Sequence, residues 1–162
     1  RWMDALSLDD NFARLYEKIS KKNRKKRGHF ILMKGARELL EFAHQRYPLS
    51  VVSARDHSST HDFLTQFALQ QLFREVVTSQ TCERGKPFPQ PVIFAAGRMH
   101  LQPEDCLMIG DTTVDILAGK RAGAQTVGLL CGFGTEGELK RAGADLIVND
   151  LVELHRLLEQ AN

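Results

Sequence analysis

The sequence predicts an α/β fold, a doubly wound parallel sheet covered by helices on both faces. Three observations lead there. From residue 49 onward, short apolar runs alternate strictly with segments of helical periodicity. The connections are too short for anything but direct crossovers, and a strand–helix–strand crossover makes neighbouring strands parallel. Polar residues with metal- or anion-binding chemistry fall just beyond several of the apolar runs, where open parallel sheets bind their ligands. The 162 residues suit one domain, or one domain with a fragment of another.

Residues 1 to about 27 read as a helical segment separate from the remainder of the chain. Asp9 or Asp10 can cap a helix whose apolar face is Phe12, Leu15, Tyr16 and Ile19. A short apolar piece, His29 to Met33, comes after Gly28. Gly35 to Arg46 is a helix with Leu39, Leu40 and Ala43 on one face, and Pro48 marks its end. Leu49 to Ala54 reads as a strand, Thr60 to Phe73 as a helix, Glu75 to Ser79 as a strand, and Gln90 to Met99 as a helix with Pro91 in its first turn. Cys106 to Ile109 is a strand, and Val114 to Ala122 a helix closed by Gly123. Gln125 to Leu130 is a strand leading into a glycine-rich loop, Cys131 to Gly137. A short helix to Ala142, a strand from Asp145 to Val148 and a helix from Leu151 to Glu159 complete the chain. The expected boundary separates residues 1–30 from a core at 31–162.

Composition narrows the function classes. No apolar run approaches the roughly 18 residues of a membrane span, and no segment resembles a signal peptide. Cys82, Cys106 and Cys131 are widely spaced without metal-ligand spacing, which argues for free thiols and a cytoplasmic protein. The net charge is +2, yet Lys21 to Arg27 holds six of the 22 basic residues, so 16 basic face 20 acidic elsewhere, a balance of −4. Such a run can bind nucleic acid or anionic membrane. Without an interleaved aromatic residue it reads better as a solvated helix end, with nucleic acid and membrane not expected as partners. The chain starts at Arg1 rather than Met, which suggests a processed product or an incomplete chain.

Four side chains carry the candidate chemistry. Ser53 closes the run Leu49 to Ser53, Lys86 sits in Arg84-Gly85-Lys86-Pro87, and Asp111 and Asp115 come after Ile109 in Gly110-Asp111-Thr112-Thr113-Val114-Asp115. Together they offer a hydroxyl donor, a cationic donor and two hard oxygen ligands, a set that neutralises and orients a phosphoryl group. Each has an ordinary reading: a turn serine, an exposed loop lysine, a helix-capping Asp and a first-turn acid facing the helix dipole. Their order and placement favour the joint reading. Arg55, two residues beyond Ser53, is a further candidate phosphate contact. His57 and His61 lie nearby and read as ordinary helix-start histidines.

Ser53, Gly85-Lys86-Pro87-Phe88-Pro89-Gln90-Pro91 and Met108 to Ile116 with Ala122-Gly123 resemble motifs II, III and IV of the haloacid dehalogenase (HAD) superfamily. Val127-Gly128-Leu129 and Gly132-Phe133-Gly134 are similar to the strand and loop after motif IV in phosphoglycolate-phosphatase-like members. The resemblance implies a Mg²⁺-dependent phosphatase acting on a small phosphorylated metabolite through an aspartyl-phosphate. It further implies that Ser53 binds phosphoryl oxygens, Lys86 offsets charge, Asp111 ligates Mg²⁺ directly, and Asp115 ligates or orients the ion, through water or through Lys86. Residues 1–30 would be the tail of a helical cap with a basic linker.

One motif of the superfamily is missing. Nothing matches the Asp-x-Asp of motif I, whose first Asp is the nucleophile. Asp9-Asp10 is an adjacent pair before a helix, and Asp4 has no acid two residues on. The resemblance would put that strand centrally, between those of Ser53 and Asp111, leaving two apolar edges open or forced together. Two function classes remain: a phosphatase whose nucleophilic strand lies upstream of Arg1, with these 162 residues alone inactive, or a non-catalytic binding module with a vestigial phosphate site. A dehalogenase branch without Mg²⁺ is disfavoured by the two-Asp motif. Substrate identity and oligomeric state stay open.

Overall fold

The computed structural model describes residues 30–161. The N-terminal helix, the cap remnant and the basic run predicted within residues 1–29 lie outside them. From Leu32 onward the described chain forms one compact unit. Its elements are α1 (Ala36–His44), β1 (Ser50–Val52), α2 (His57–Gln66), β2 (Glu75–Val77), α3 (Gln90–Arg98), β3 (Leu107–Gly110), α4 (Thr113–Ala122), β4 (Gln125–Leu129), α5 (Glu136–Ala142), β5 (Leu146–Val148) and α6 (Leu151–Gln160). Single 3₁₀ turns occupy Gln70–Leu72 and Pro103–Asp105.

All strand pairs are parallel, as the alternation demands. They form two sheets: β1 beside β2, and β3-β4-β5. Among the described residues, β1 and β3 each pair on one side only. The expected break between the strands that lead to Ser53 and Asp111 is therefore present. Two apolar side chains of β3, Leu107 and Ile109, remain 40% and 37% exposed, unusual for a strand of a parallel sheet, which is normally covered on both faces.

Helices cover both faces. On one, Ala36 and Leu39 of α1 and Leu151 and Leu154 of α6 bury Val127, Leu129 and Val148. On the other, Val92 of α3 and Ala118 and Ala122 of α4 pack with Met108. Gly119 lets α4 lie close to the sheet, since a Cβ there would sit 2.6 Å from Thr126 Cγ2 and 2.9 Å from Met108 Cβ. Gly97 in α3 has open space around a would-be Cβ. Gly97→Ala is therefore expected to raise stability by about 0.5–1 kcal/mol, through the lower backbone entropy of the unfolded chain. A lower thermal midpoint would contradict this.

The helix predicted over Thr60 to Phe73 is shorter and starts earlier. Asp56 Oδ1 accepts the Ser59 N–H at 2.8 Å and caps α2 at His57. Ala68 at φ 51° ends the helical run, and the chain restarts as the 3₁₀ turn with Leu64, Leu69 and Leu72 in one apolar cluster. Apart from β3, which keeps four residues shifted by one, the strands are also shorter than expected, because β pairing stops where the chain turns into the loops that carry the polar residues.

Asp145 fastens β5 to β4 and α4. Its Oδ2 accepts the N–H and Oγ1–H of buried Thr126, both at 2.8 Å, and its Oδ1 meets Lys120 Nζ at 2.7 Å. Lys120 first, then Thr126, hold its carboxyl below the ordinary range. Because the folded-state pKa is depressed, this contribution is complete above the ordinary carboxylate value of about 3.9 and is lost as pH falls through the folded value. Asp145→Asn is expected to flatten the stability–pH curve below about pH 4. An unchanged acid limb in chemical denaturation would contradict it.

Candidate active site

Ser53, Lys86, Asp111 and Asp115 all lie beyond strands at their carboxyl ends; Lys86 joins Asp115 to the residue before Ser53, whereas Asp111 is held by the loop after β4. The Ser53 N–H donates to Val77 O at 2.8 Å, so the residue continues the β1–β2 ladder by one step before the chain turns. Its Oγ accepts the Arg55 N–H at 3.0 Å and the Thr60 hydroxyl at 3.3 Å. Both acceptor positions are thus used, and the serine proton is left to donate.

Lys86 precedes Pro87 through a cis peptide bond. Its Nζ donates to Val52 O at 2.8 Å, one residue before Ser53, and to Asp115 Oδ1 at 2.6 Å. Two of three ammonium hydrogens are committed and the third remains. The Lys86 and Asp115 side chains are only 9% and 8% exposed. Arg121 Nη1 donates to Pro87 O at 2.9 Å and ties the same loop to α4.

Asp115 is fully engaged. Its Oδ2 accepts the Thr112 N–H at 3.1 Å and the Thr112 hydroxyl at 2.7 Å, while Oδ1 holds Lys86. The carboxylate folds back over the end of β3. A Cβ on Gly110 would lie 2.2 Å from Asp115 Cβ, so only glycine fits there. Asp111 differs. Its Oδ2 accepts the Phe133 N–H at 3.0 Å, and Oδ1 makes no hydrogen bond among the described residues. Its carbonyl oxygen accepts the Gly134 N–H at 2.8 Å.

Cys131 stands beside this site at the end of β4 and is exposed. Burial of its sulfur, with smaller pushes from Asp150 and Asp111, raises its pKa and keeps it a thiol, against a role as nucleophile. Cys82 and Cys106 are likewise free thiols. His57 and His61 stack at 6.4 Å between ring centroids. His57 N–H donates to Gln80 Oε1 at 2.9 Å, joining the start of α2 to the loop after β2.

The family model for haloacid dehalogenase-like hydrolases matches residues 2–129, most of the chain. The chain belongs to that family. It is 31% identical over 140 residues to a phosphoglycolate phosphatase of Nitrosococcus oceani, a match covering 86% of this chain and 61% of the relative. Among solved structures, a hydrolase of Pseudomonas syringae superposes with a TM-score of 0.75 at 29% identity, over 99% of this chain and 70% of that one. A HAD-family hydrolase of Deinococcus radiodurans, with bound phosphate and sodium, gives 0.70 at 30% identity, over 80% and 59%. The chain thus spans about three fifths of the curated relatives it matches.

Among the described residues no three His, Cys, Asp or Glu side chains gather into a metal cluster. The donor chemistry nevertheless fits a magnesium ion. Mg²⁺ is held by one or two carboxylates and completed by water and phosphate oxygens. Among the described residues, Asp111 Oδ1 is an oxygen donor at a strand end without a competing hydrogen bond, whereas both Asp115 oxygens are occupied. No helix among the described residues is long and apolar enough to cross a membrane.

The sequence reading missed Thr112, although Thr112-Thr113-Val114-Asp115 has the spacing of a capping box. Thr60, seven residues beyond Ser53, gave no local signal. The clasp on Asp111 by the Gly132–Gly134 loop spans more than twenty residues and is equally invisible to local periodicity.

Proposed function

We propose that this protein is a Mg²⁺-dependent phosphatase acting on a small phosphorylated metabolite, with its nucleophilic carboxylate supplied by a strand upstream of Arg1. The observation that carries the reading is the Lys86 ammonium, hydrogen-bonded at once to the residue before Ser53 and to the carboxylate four residues after Asp111. It links the strand end that carries Ser53 to the first turn of α4, close in sequence to Asp111, at the carboxyl end of β1 and β3. The open edges of β1 and β3 support the upstream strand, which would pair with both and bring its Asp-x-Asp to the same end.

In this proposal the Ser53 hydroxyl and the remaining Lys86 N–H donate to non-bridging phosphoryl oxygens and draw off their charge. Asp111 Oδ1 would hold a Mg²⁺ ion, which would supply further charge neutralisation. Asp115 acts through Lys86 and Thr112, fixing the ammonium and the first turn of α4 rather than meeting the ion. The upstream carboxylate attacks phosphorus as the ester P–O bond breaks, and the departing oxygen takes a proton from the second Asp of the motif. Water then cleaves the acyl phosphate, releasing inorganic phosphate and restoring the carboxylate.

Relatives named as a phosphoglycolate phosphatase and, in Oceanobacillus iheyensis, a pyrophosphatase support a small anionic phosphate as the substrate. The test is a panel of phosphomonoesters and pyrophosphate assayed with the protein carrying its upstream residues. Turnover with Mg²⁺ that stops on chelation is expected. Phosphate binding without turnover on any member would favour a non-catalytic module instead.

A further inference from the structure

Three observations converge on the loop after β4. The Phe133 amide donates to Asp111 Oδ2 at 3.0 Å, and the Gly134 amide donates to the Asp111 carbonyl at 2.8 Å, so consecutive amides grip both the side chain and the backbone of one residue. Gly132 leaves no room for a side chain: a Cβ would stand 2.0 Å from Asp111 Oδ2 and 2.3 Å from its Cβ. Gly134 is also tight, though less so, with its would-be Cβ 2.6 Å from the Asp111 carbonyl oxygen. The Phe133 ring is 92% exposed, so the residue is held by its backbone and not by packing of its side chain.

We propose that Gly132, Phe133 and Gly134 form a positioning clasp that fixes one oxygen of Asp111 and thereby presents the other to the cation. This inference rests on the phosphatase reading for the identity of the cation, but the clasp itself is independent of turnover. A carboxylate with both oxygens free can rotate about its Cβ–Cγ bond and offers either oxygen in many directions. Pinning Oδ2 to an amide removes that freedom before the ion arrives, as partners of metal ligands do elsewhere. Thr112 and Lys86 do the same for both oxygens of Asp115, so the two acids divide the work. Asp115 is closed on the protein and Asp111 is closed on one side only. Because the donor is a backbone amide, no substitution at 133 short of proline removes it; the sensitive position is Gly132, where any side chain must displace the carboxylate.

The test measures divalent-cation binding directly, by calorimetry with Mg²⁺ or by the electron-spin signal of Mn²⁺, alongside the amide hydrogen exchange of Phe133. Gly132→Ala is expected to weaken cation binding by about 10- to 100-fold, the range typical of losing a ligand's supporting partner. Excess Mg²⁺ should restore much of its kcat, whereas a purely structural defect would not respond to the ion. Phe133→Ala should keep cation affinity within about twofold, since the amide survives. Asp111→Ala should speed exchange of the Phe133 amide by about tenfold or more, the loss of a single protecting bond. If Gly132→Ala does not fold, the exchange experiment decides alone. Wild-type-like cation affinity in a folded Gly132→Ala protein, or an unchanged Phe133 exchange rate in Asp111→Ala, overturns the clasp. A wild-type protein that binds no divalent cation overturns the functional reading, while Phe133 exchange still reports on the clasp.

Discussion

Asp111→Ala, made in the protein with its upstream residues, is expected to lower kcat/KM for a phosphomonoester by on the order of 10³-fold, the several kcal/mol that a metal ion contributes at a phosphoryl centre. Stability should barely change. Asp111 contributes one side-chain hydrogen bond, from Phe133, and a single such bond is worth about 1 kcal/mol net. In a domain of this size that shifts the melting midpoint by only about 2–4 °C. Activity and stability are therefore separable at this position. A mutant with wild-type turnover would remove Asp111 from the site.

Asp115 should behave in the opposite manner. Asp115→Ala leaves the Lys86 ammonium buried without its carboxylate, and breaking one side of a buried pair costs about 3–5 kcal/mol. The Thr112 N–H and hydroxyl lose their acceptor as well. At about 2–4 °C per kcal/mol, the melting midpoint should fall by roughly 6–20 °C, and activity with it. Lys86→Met should also destabilise, since it strands the carboxylate. Combining Lys86→Met with Asp115→Leu should cost less than the two single changes added together, because neither charge is then left alone. Strict additivity of the three midpoints would mean that the 2.6 Å contact carries no coupling.

The fold was legible because its signals are local and redundant. The run Cys106 to Ile109, the helix after it and Gly123 at φ 89° agree at every level, and β3 and α4 lie where periodicity puts them. The helix over Thr60 to Phe73 was misplaced because Phe63, Leu64 and Phe67 keep a helical spacing right up to Ala68, and no local residue signals the left-handed turn there. Packing of Leu69 and Leu72 into the same cluster settles that turn, and it is a tertiary effect. At the site, residue types and their positions beyond strand ends named Ser53, Lys86, Asp111 and Asp115. Their division of labour could not be read that way. Which acid is closed by Lys86 and which keeps an open oxygen depends on contacts 22 to 29 residues apart.

The break between β1 and β3 bears on fold and function alike. It was expected from the missing Asp-x-Asp, and it leaves Leu107 and Ile109 exposed on an edge that a parallel strand could cover. The decisive comparison sets Mg²⁺-dependent phosphomonoester turnover of residues 1–162 against that of the same chain extended upstream by its own coding sequence. Residues 1–162 should show no turnover, and the extended chain should show turnover that disappears on Asp111→Ala. Metal-dependent turnover by residues 1–162 alone would contradict the upstream nucleophile, as would an extended chain that carries Asp-x-Asp and hydrolyses nothing.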